Sequence, residues 1–183
     1  MADHQHRLTL EEVNAMDFAC FTEKFCSVVE HTPLAAATVW SCRPFHSVSA
    51  LDKAFTMFLN SLGLDVKAGV LRCYPDLAGR LTQQGTLTSE SLNEHKSAGL
   101  LDLTEYEMKE LAVLNNSYKL KFNFPFVICA RENKKVAIFA GIRTRLGNDV
   151  QTETEIGIGE VSKIAGHRLR DIVDDSAPVD AKM

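Results

Sequence analysis

A chain of 183 residues, 45% of them hydrophobic, is long enough to bury one substantial core, and nothing in that length requires a second domain. The formal charge of −4, with lysines and arginines dispersed rather than gathered in a stripe, argues against nucleic acid or an anionic membrane as partner and for a small soluble substrate. No apolar run approaches the roughly 20 residues that span a bilayer, and MADHQHRLT at the start holds no hydrophobic signal region.

The five cysteines, Cys20, Cys26, Cys42, Cys73 and Cys129, are odd in number and lack a CxxC, and most sit in apolar runs. They read as reduced, buried thiols in a reducing compartment. Six scattered histidines give neither H-x-x-x-H nor H-E-x-x-H spacing, which argues against a metal site.

In chain order, Thr9 with Glu12 forms a capping box that opens a short helix toward Met16. Asp17 caps the next, where Phe18, Phe21, Phe25, Val28 and Val29 recur at helical spacing to about His31. Thr32-Pro33 restarts the chain as N-cap and first helical residue, and Leu34 to Cys42 continues as an apolar helix, buried on most sides, that stops before Pro44. Ser49 is expected to cap an amphipathic helix whose stripe is Leu51, Ala54, Phe55, Phe58, Leu59 and Leu62, closed by Gly63. Asp65 starts a short helix carrying Val70 and Leu71.

Pro75 fixes its own φ and pushes Tyr74 out of the helical region, so a helix ending near Cys73 turns here. Thr88 and Gly99 then bracket a helix on which Ser91, Glu94 and His95 stand at i, i+3 and i+4, on one face. A second capping box, Thr104 with Glu107, opens a long helix to about Lys121, with Met108, Leu111, Ala112, Asn115 and Tyr118 facing inward. The run from Phe124 to Ala130 is short, apolar and contains Pro125, so it is extended chain with no strand to pair with. Its backbone groups need other partners, a bound ligand among the candidates.

Val136, Phe139, Ile142 and Leu146 mark a further helix. The segment from about Thr152 to Val173 makes the last, although Gly157, Gly159 and Gly166 each weaken it by about 1 kcal/mol relative to alanine. The expected fold is all-α: a single compact domain of about eight helices over 1–173 with one short extended segment, followed by a polar, disordered tail over 174–183.

YPDLAGR at 74–80 followed by GTLTSESLNEHKSAGL at 85–100 resembles the paired signature of the 2-oxo-4-hydroxy-4-carboxy-5-ureidoimidazoline (OHCU) decarboxylases of urate breakdown, whose members usually read HPDLAG and then ES-x-x-EQ. The resemblance extends through Trp40 to Phe45, Leu114 to Tyr118 and Phe122 to Val127, to the Glu160-Val161-Ser162-Lys163-Ile164 helix. Two positions depart from the pattern: Tyr74 stands where the family has its catalytic histidine, and His95 where it has glutamine.

Read by themselves, these residues have bland alternatives. A mid-helix Glu94 is more often a solvated charge, Ser91 a hydroxyl bonded to its own backbone, His95 an exposed histidine, Tyr74 an aromatic anchor and Arg168 a helix-surface cation. The resemblance implies otherwise. It makes Tyr74, Glu94 and His95 the catalytic candidates, and Pro75, Ser91, Phe126, Ile128, Ala130 and Arg168 the substrate-binding ones. Tyr74, a phenol with an ordinary pKa near 10, donates a hydrogen bond at neutral pH but is a poor proton acceptor. Arg43, Trp40 and Phe45 read as structural, and Cys73 and Cys129 as packing rather than nucleophiles.

The implied activity is cofactor-free decarboxylation of the ureidoimidazoline to (S)-allantoin, by a homodimer. The last three residues, Ala181-Lys182-Met183, belong to the small-basic-aliphatic class of the peroxisomal tripeptide, a match too short to decide by itself. With the commonly peroxisomal urate oxidation that the resemblance implies upstream, a peroxisomal location is expected, the cytoplasm being the alternative. Two other readings stay open: a ureide-binding protein in which Tyr74 has removed proton transfer, and a helical interaction module whose likeness is only ancestral.

Overall fold

The computed structural model describes residues 7–77, 98 and 100–175. Among them are eight α-helices: α1 (Leu10–Ala15), α2 (Phe18–Phe25), α3 (Pro33–Trp40), α4 (Val48–Ser61), α5 (Leu64–Arg72), α6 (Glu105–Phe122), α7 (Lys135–Arg145) and α8 (Val150–Ile172), with a 3-10 turn at Leu100–Asp102. The fold is all-α. The chain divides into two compact units, Met1–Ser61 with Ile164–Met183, and Leu62–Lys163. The first is assembled from both chain ends, so the units are not successive domains separated by a linker.

In the first unit both expected N-caps of α1 and α2 form. Thr9 and Glu12 close a capping box, and Asp17 Oδ1 accepts the Cys20 N–H at 2.8 Å. Helix α2 stops at Phe25, shorter than its apolar spacing suggests, because the chain turns through Cys26–Thr32 with His31 in the left-handed region at φ 45°. Val28 and Val29 are nevertheless fully buried, so the apolar residues continue past the helix. Thr32 is the N-cap of α3 and Pro33 its first residue, as expected, but the Thr32 side chain makes no capping bond; its hydroxyl donates to the Glu30 carbonyl at 2.9 Å. Only Ala35, Ala36 and Val39 of α3 are buried and Leu34 is exposed, which corrects the expectation of a helix enclosed on most sides.

Helix α4 begins at Val48, and the cap is Ser47, whose Oγ accepts the Ala50 N–H at 3.0 Å, two residues before the expected Ser49. Its buried stripe is Val48, Leu51, Phe55 and Leu59. The α3–α4 connection is held by Asn14, which exchanges two 2.8 Å hydrogen bonds with the Phe45 backbone. Arg43, next to a cis peptide bond at Pro44, stacks over Trp40 at 4.3 Å and donates to the Trp40 carbonyl. Arg43 is therefore structural, as expected. A short parallel bridge between Leu8 and Val173 ties the N-terminal segment to the end of α8.

In the second unit Thr104 and Glu107 form the second capping box. Helix α6 buries Leu111, Asn115, Tyr118 and Phe122, whereas Met108 and Ala112 face solvent, so the inward stripe runs later than the sequence suggests. Asn123, at φ 60°, ends the helix, a role asparagine tolerates better than most residues. Gly157 of α8 is explained by close packing, since a Cβ there would lie 2.9 Å from the Leu71 methyl carbons. The thiols contradict expectation in part: all five are free, but Cys20, Cys26 and Cys42 are exposed, Cys73 is half-buried and only Cys129 is buried.

Candidate active site

Helix α5 ends at Arg72, and Cys73 closes it by donating to the Leu71 and Val70 carbonyls. The backbone N–H of Tyr74 reaches the Leu71 carbonyl at 3.1 Å before Pro75 stops further helix. The turn is thus built as the residues dictate. Tyr74 is buried, Pro75 and Asp76 are half-buried, and Leu77 is buried beneath them. Asp76 is anchored by an ion pair to Lys119 of α6. Ser91, Glu94 and His95 lie outside the described residues.

The Phe124–Ala130 segment is neither helix nor strand, as expected for an apolar run with no pairing partner. Several of its backbone groups, at Val127 and Cys129, are bonded within the protein. The Val127 carbonyl accepts from Arg145 Nη1 at 2.8 Å, the Cys129 N–H donates to Glu160 Oε2 at 2.8 Å, and the Cys129 carbonyl accepts from Asn133 Nδ2 at 2.9 Å. Phe126 and Ala130 are buried, and Ile128 between them is half-buried. The Phe126 ring meets Tyr118 edge to face, and the Arg145 guanidinium lies over it at 4.5 Å.

Behind this segment lies a polar network that periodicity alone did not reveal. Glu153 is fully buried and accepts from Arg145 Nε at 2.7 Å, from Asn148 Nδ2 at 2.7 Å and from the Tyr118 hydroxyl. Burial pushes the Tyr118 phenol far above its ordinary pKa, against the opposing pull of Arg145, and its hydrogen bond to Glu153 adds to the rise. It stays a proton donor to Glu153. A buried carboxylate met by a guanidinium, an amide and a phenol is fully compensated, and so it fixes the Phe126–Ala130 segment in place. Cys129 sits on that segment, its thiol pushed up to about 11 by burial and then by Glu132, which fits packing and not nucleophilic use.

Arg168 corrects the surface-cation reading. It is 3% exposed, donates from Nη1 to the Ser27 carbonyl at 2.7 Å and pairs with Glu30 Oε2 at 2.9 Å. Glu30, 4% exposed, was not singled out, although a lone carboxylate inside the run SVVEHTPLAAATVW was the signal that could have found it. Of the candidate residues, Tyr74, Pro75, Phe126, Ile128 and Ala130 fall in the second unit, and Arg168 in the first.

The second unit thus holds a buried tyrosine at a proline-stopped turn and an extended segment with alternate residues Phe126, Ile128 and Ala130, and the first unit a buried, paired arginine. Comparison with known proteins identifies the family. The OHCU decarboxylase family model matches residues 14–170. An OHCU decarboxylase of Xenopus laevis is 44% identical over 165 residues, covering 90% of this chain and 94% of its own. Among solved structures, (S)-allantoin synthase superposes with a TM-score of 0.73 at 22% identity over 91% of this chain, which spans 55% of that chain's length. An OHCU decarboxylase crystallised in the presence of (S)-allantoin superposes with a TM-score of 0.66 at 22% identity, over 83% of this chain and 99% of its own, and so shares the fold. With the family pattern running from Asn14 to Arg170, across the Tyr74 turn and through the Arg168 helix, the chain belongs to the OHCU decarboxylase family.

Proposed function

We propose that this protein decarboxylates 2-oxo-4-hydroxy-4-carboxy-5-ureidoimidazoline to (S)-allantoin in urate degradation, without a cofactor. Family membership along residues 14–170 carries the reading. In this substrate the carboxylate is attached to a carbon next to a C=N bond. As the carbon–carboxylate bond breaks and CO₂ leaves, its electron pair moves toward that C=N bond, and the neighbouring carbon is then protonated on one face. The protein's task is to orient the ring and manage one proton.

In this assignment Glu94 polarises or shuttles the proton, and Tyr74 donates a hydrogen bond where the family has its histidine. His95 supplies the imidazole nearest to Glu94 in sequence. Ser91, Pro75 and the Phe126, Ile128 and Ala130 positions hold the ring and ureido group, and Arg168 holds an oxygen. Mixing the purified protein with freshly generated substrate tests this: loss of the substrate should outpace its spontaneous decay, and Glu94→Ala should remove the acceleration while leaving the melting temperature nearly unchanged. Equal decay with and without protein would refute it.

The reading includes a homodimer in the peroxisome. A dimer is supported by α6, which turns Tyr106, Val113 and Leu120 outward at seven-residue spacing, all strongly exposed. The Ala181-Lys182-Met183 tripeptide supports the location.

A further inference from the structure

We infer that Glu30 is a positioning residue for Arg168, setting how that guanidinium meets the substrate; the inference rests on the proposed binding role of Arg168. The observation behind it is a buried charge pair assembled from two distant parts of the chain. Glu30 and Ser27 lie in the turn between α2 and α3, and Arg168 lies near the end of α8. Nη1 of Arg168 meets both Glu30 Oε2 at 2.9 Å and the Ser27 carbonyl at 2.7 Å, and the two side chains are 4% and 3% exposed.

The turn that supplies these oxygens is fixed from several sides. His31, the residue after Glu30, is held at φ 45°, a conformation that a residue other than glycine rarely adopts unless its surroundings impose it. Thr32, at the N-cap of α3, turns its hydroxyl back onto the Glu30 carbonyl. Val28 and Val29 on the same turn are fully buried and leave it no freedom to swing outward. The turn therefore forgoes a side-chain cap and brings one carboxylate, as an ion pair, and one carbonyl, as a hydrogen-bond acceptor, to the same guanidinium nitrogen.

The chemistry explains why such a pair suits this reaction. A buried arginine without a counter-charge would hold an anionic substrate most strongly through its carboxylate, and holding that charge opposes departure of CO₂. Compensated by Glu30, Arg168 acts as an oriented hydrogen-bond donor and not as a net positive charge. It is then suited to a neutral carbonyl of the ring or ureido group. The hydrogen bond to the Ser27 carbonyl orients Nη1, and the Glu30 ion pair sets the charge beside it.

The test is a double-substitution cycle on the full chain, combining Glu30→Gln with Arg168→Gln, each variant checked for folding by thermal melting. Glu30→Asp joins them because it keeps the charge and shifts it by one methylene, guarding against loss of fold. Glu30→Asp and Glu30→Gln should each lower kcat/KM tenfold or more, chiefly through a raised KM. In the Arg168→Gln background, Glu30→Gln should cost less than twofold, because the two act as a unit. A merely structural Glu30 would lower the melting temperature and the amount of active protein while leaving KM unchanged. That result, or additive losses in the cycle, would overturn the inference while the decarboxylase reading stood. If the parent protein shows no turnover, the same cycle is read on (S)-allantoin affinity by calorimetry; a parent with neither turnover nor allantoin binding refutes both the function and the positioning role.

Discussion

On the proposed assignment Tyr74 stands where the family pattern HPDLAG has its histidine, on a turn made of a closed helix end, a proline stop and an Asp76–Lys119 anchor. On that assignment the position lacks an imidazole. His95, one residue beyond Glu94, is the residue this sequence offers in exchange. A displaced group works less well, since misplacement by about 1 Å can cost on the order of a hundredfold. Tyr74→His should raise the decarboxylation rate, and His95→Gln should lower it in the present background but matter much less once Tyr74 is replaced by histidine. Steady-state rates of the three variants check this, and strictly additive effects would contradict it. At this scale the turn was legible because proline restricts φ whatever surrounds it. Arg168 was not: a helical arginine looks the same in sequence whether solvent or Glu30 receives it, and only the turn at Ser27–His31 decides which.

Helix starts were legible at Thr9, Asp17 and Thr104, whose side chains bond a nearby backbone group, and at Thr32-Pro33, where proline takes the first helical position. The start of α4 was misplaced because two serines compete for it, and Ser47 rather than Ser49 bonds the Ala50 N–H. The caps carry a pH dependence. Lys135 beside it, then the Thr104 N–H, lower the Glu107 carboxyl below its ordinary 4.5. A carboxyl lowered on folding contributes stability that is fully present above its unfolded value and lost as pH falls through its folded value. Thermal melts between pH 6 and 3 should show the parent losing stability more steeply than Glu107→Gln, and parallel curves would contradict the assignment.

The glycines of α8 separate propensity from packing. Gly159 has nothing within 4 Å of a would-be Cβ, so Gly159→Ala should stabilise by up to about 1 kcal/mol. Gly157 faces fully buried Leu71, where overpacking costs about 1–3 kcal/mol, so Gly157→Ala should lower the melting temperature. Opposite shifts of a few degrees are expected in calorimetry. In sequence the glycines look alike, because what approaches each of them is set by packing alone.

For the molecule as a whole, the all-α class and the order of the helices followed from periodicity and caps. The assembly of one unit from both chain ends did not, since no local pattern announces that Leu8 will bridge to Val173. Family membership adds the reaction, and the reaction has a stereochemical signature that no passive binding protein can produce. Spontaneous decay of the ureidoimidazoline protonates either face and gives racemic allantoin, whereas a chiral pocket protonates one. The direct measurement is circular dichroism of the allantoin formed when the purified protein is added to freshly generated substrate. A signal of the (S) enantiomer, growing in proportion to protein concentration, is the predicted result. Optically inactive allantoin at every protein concentration would contradict it.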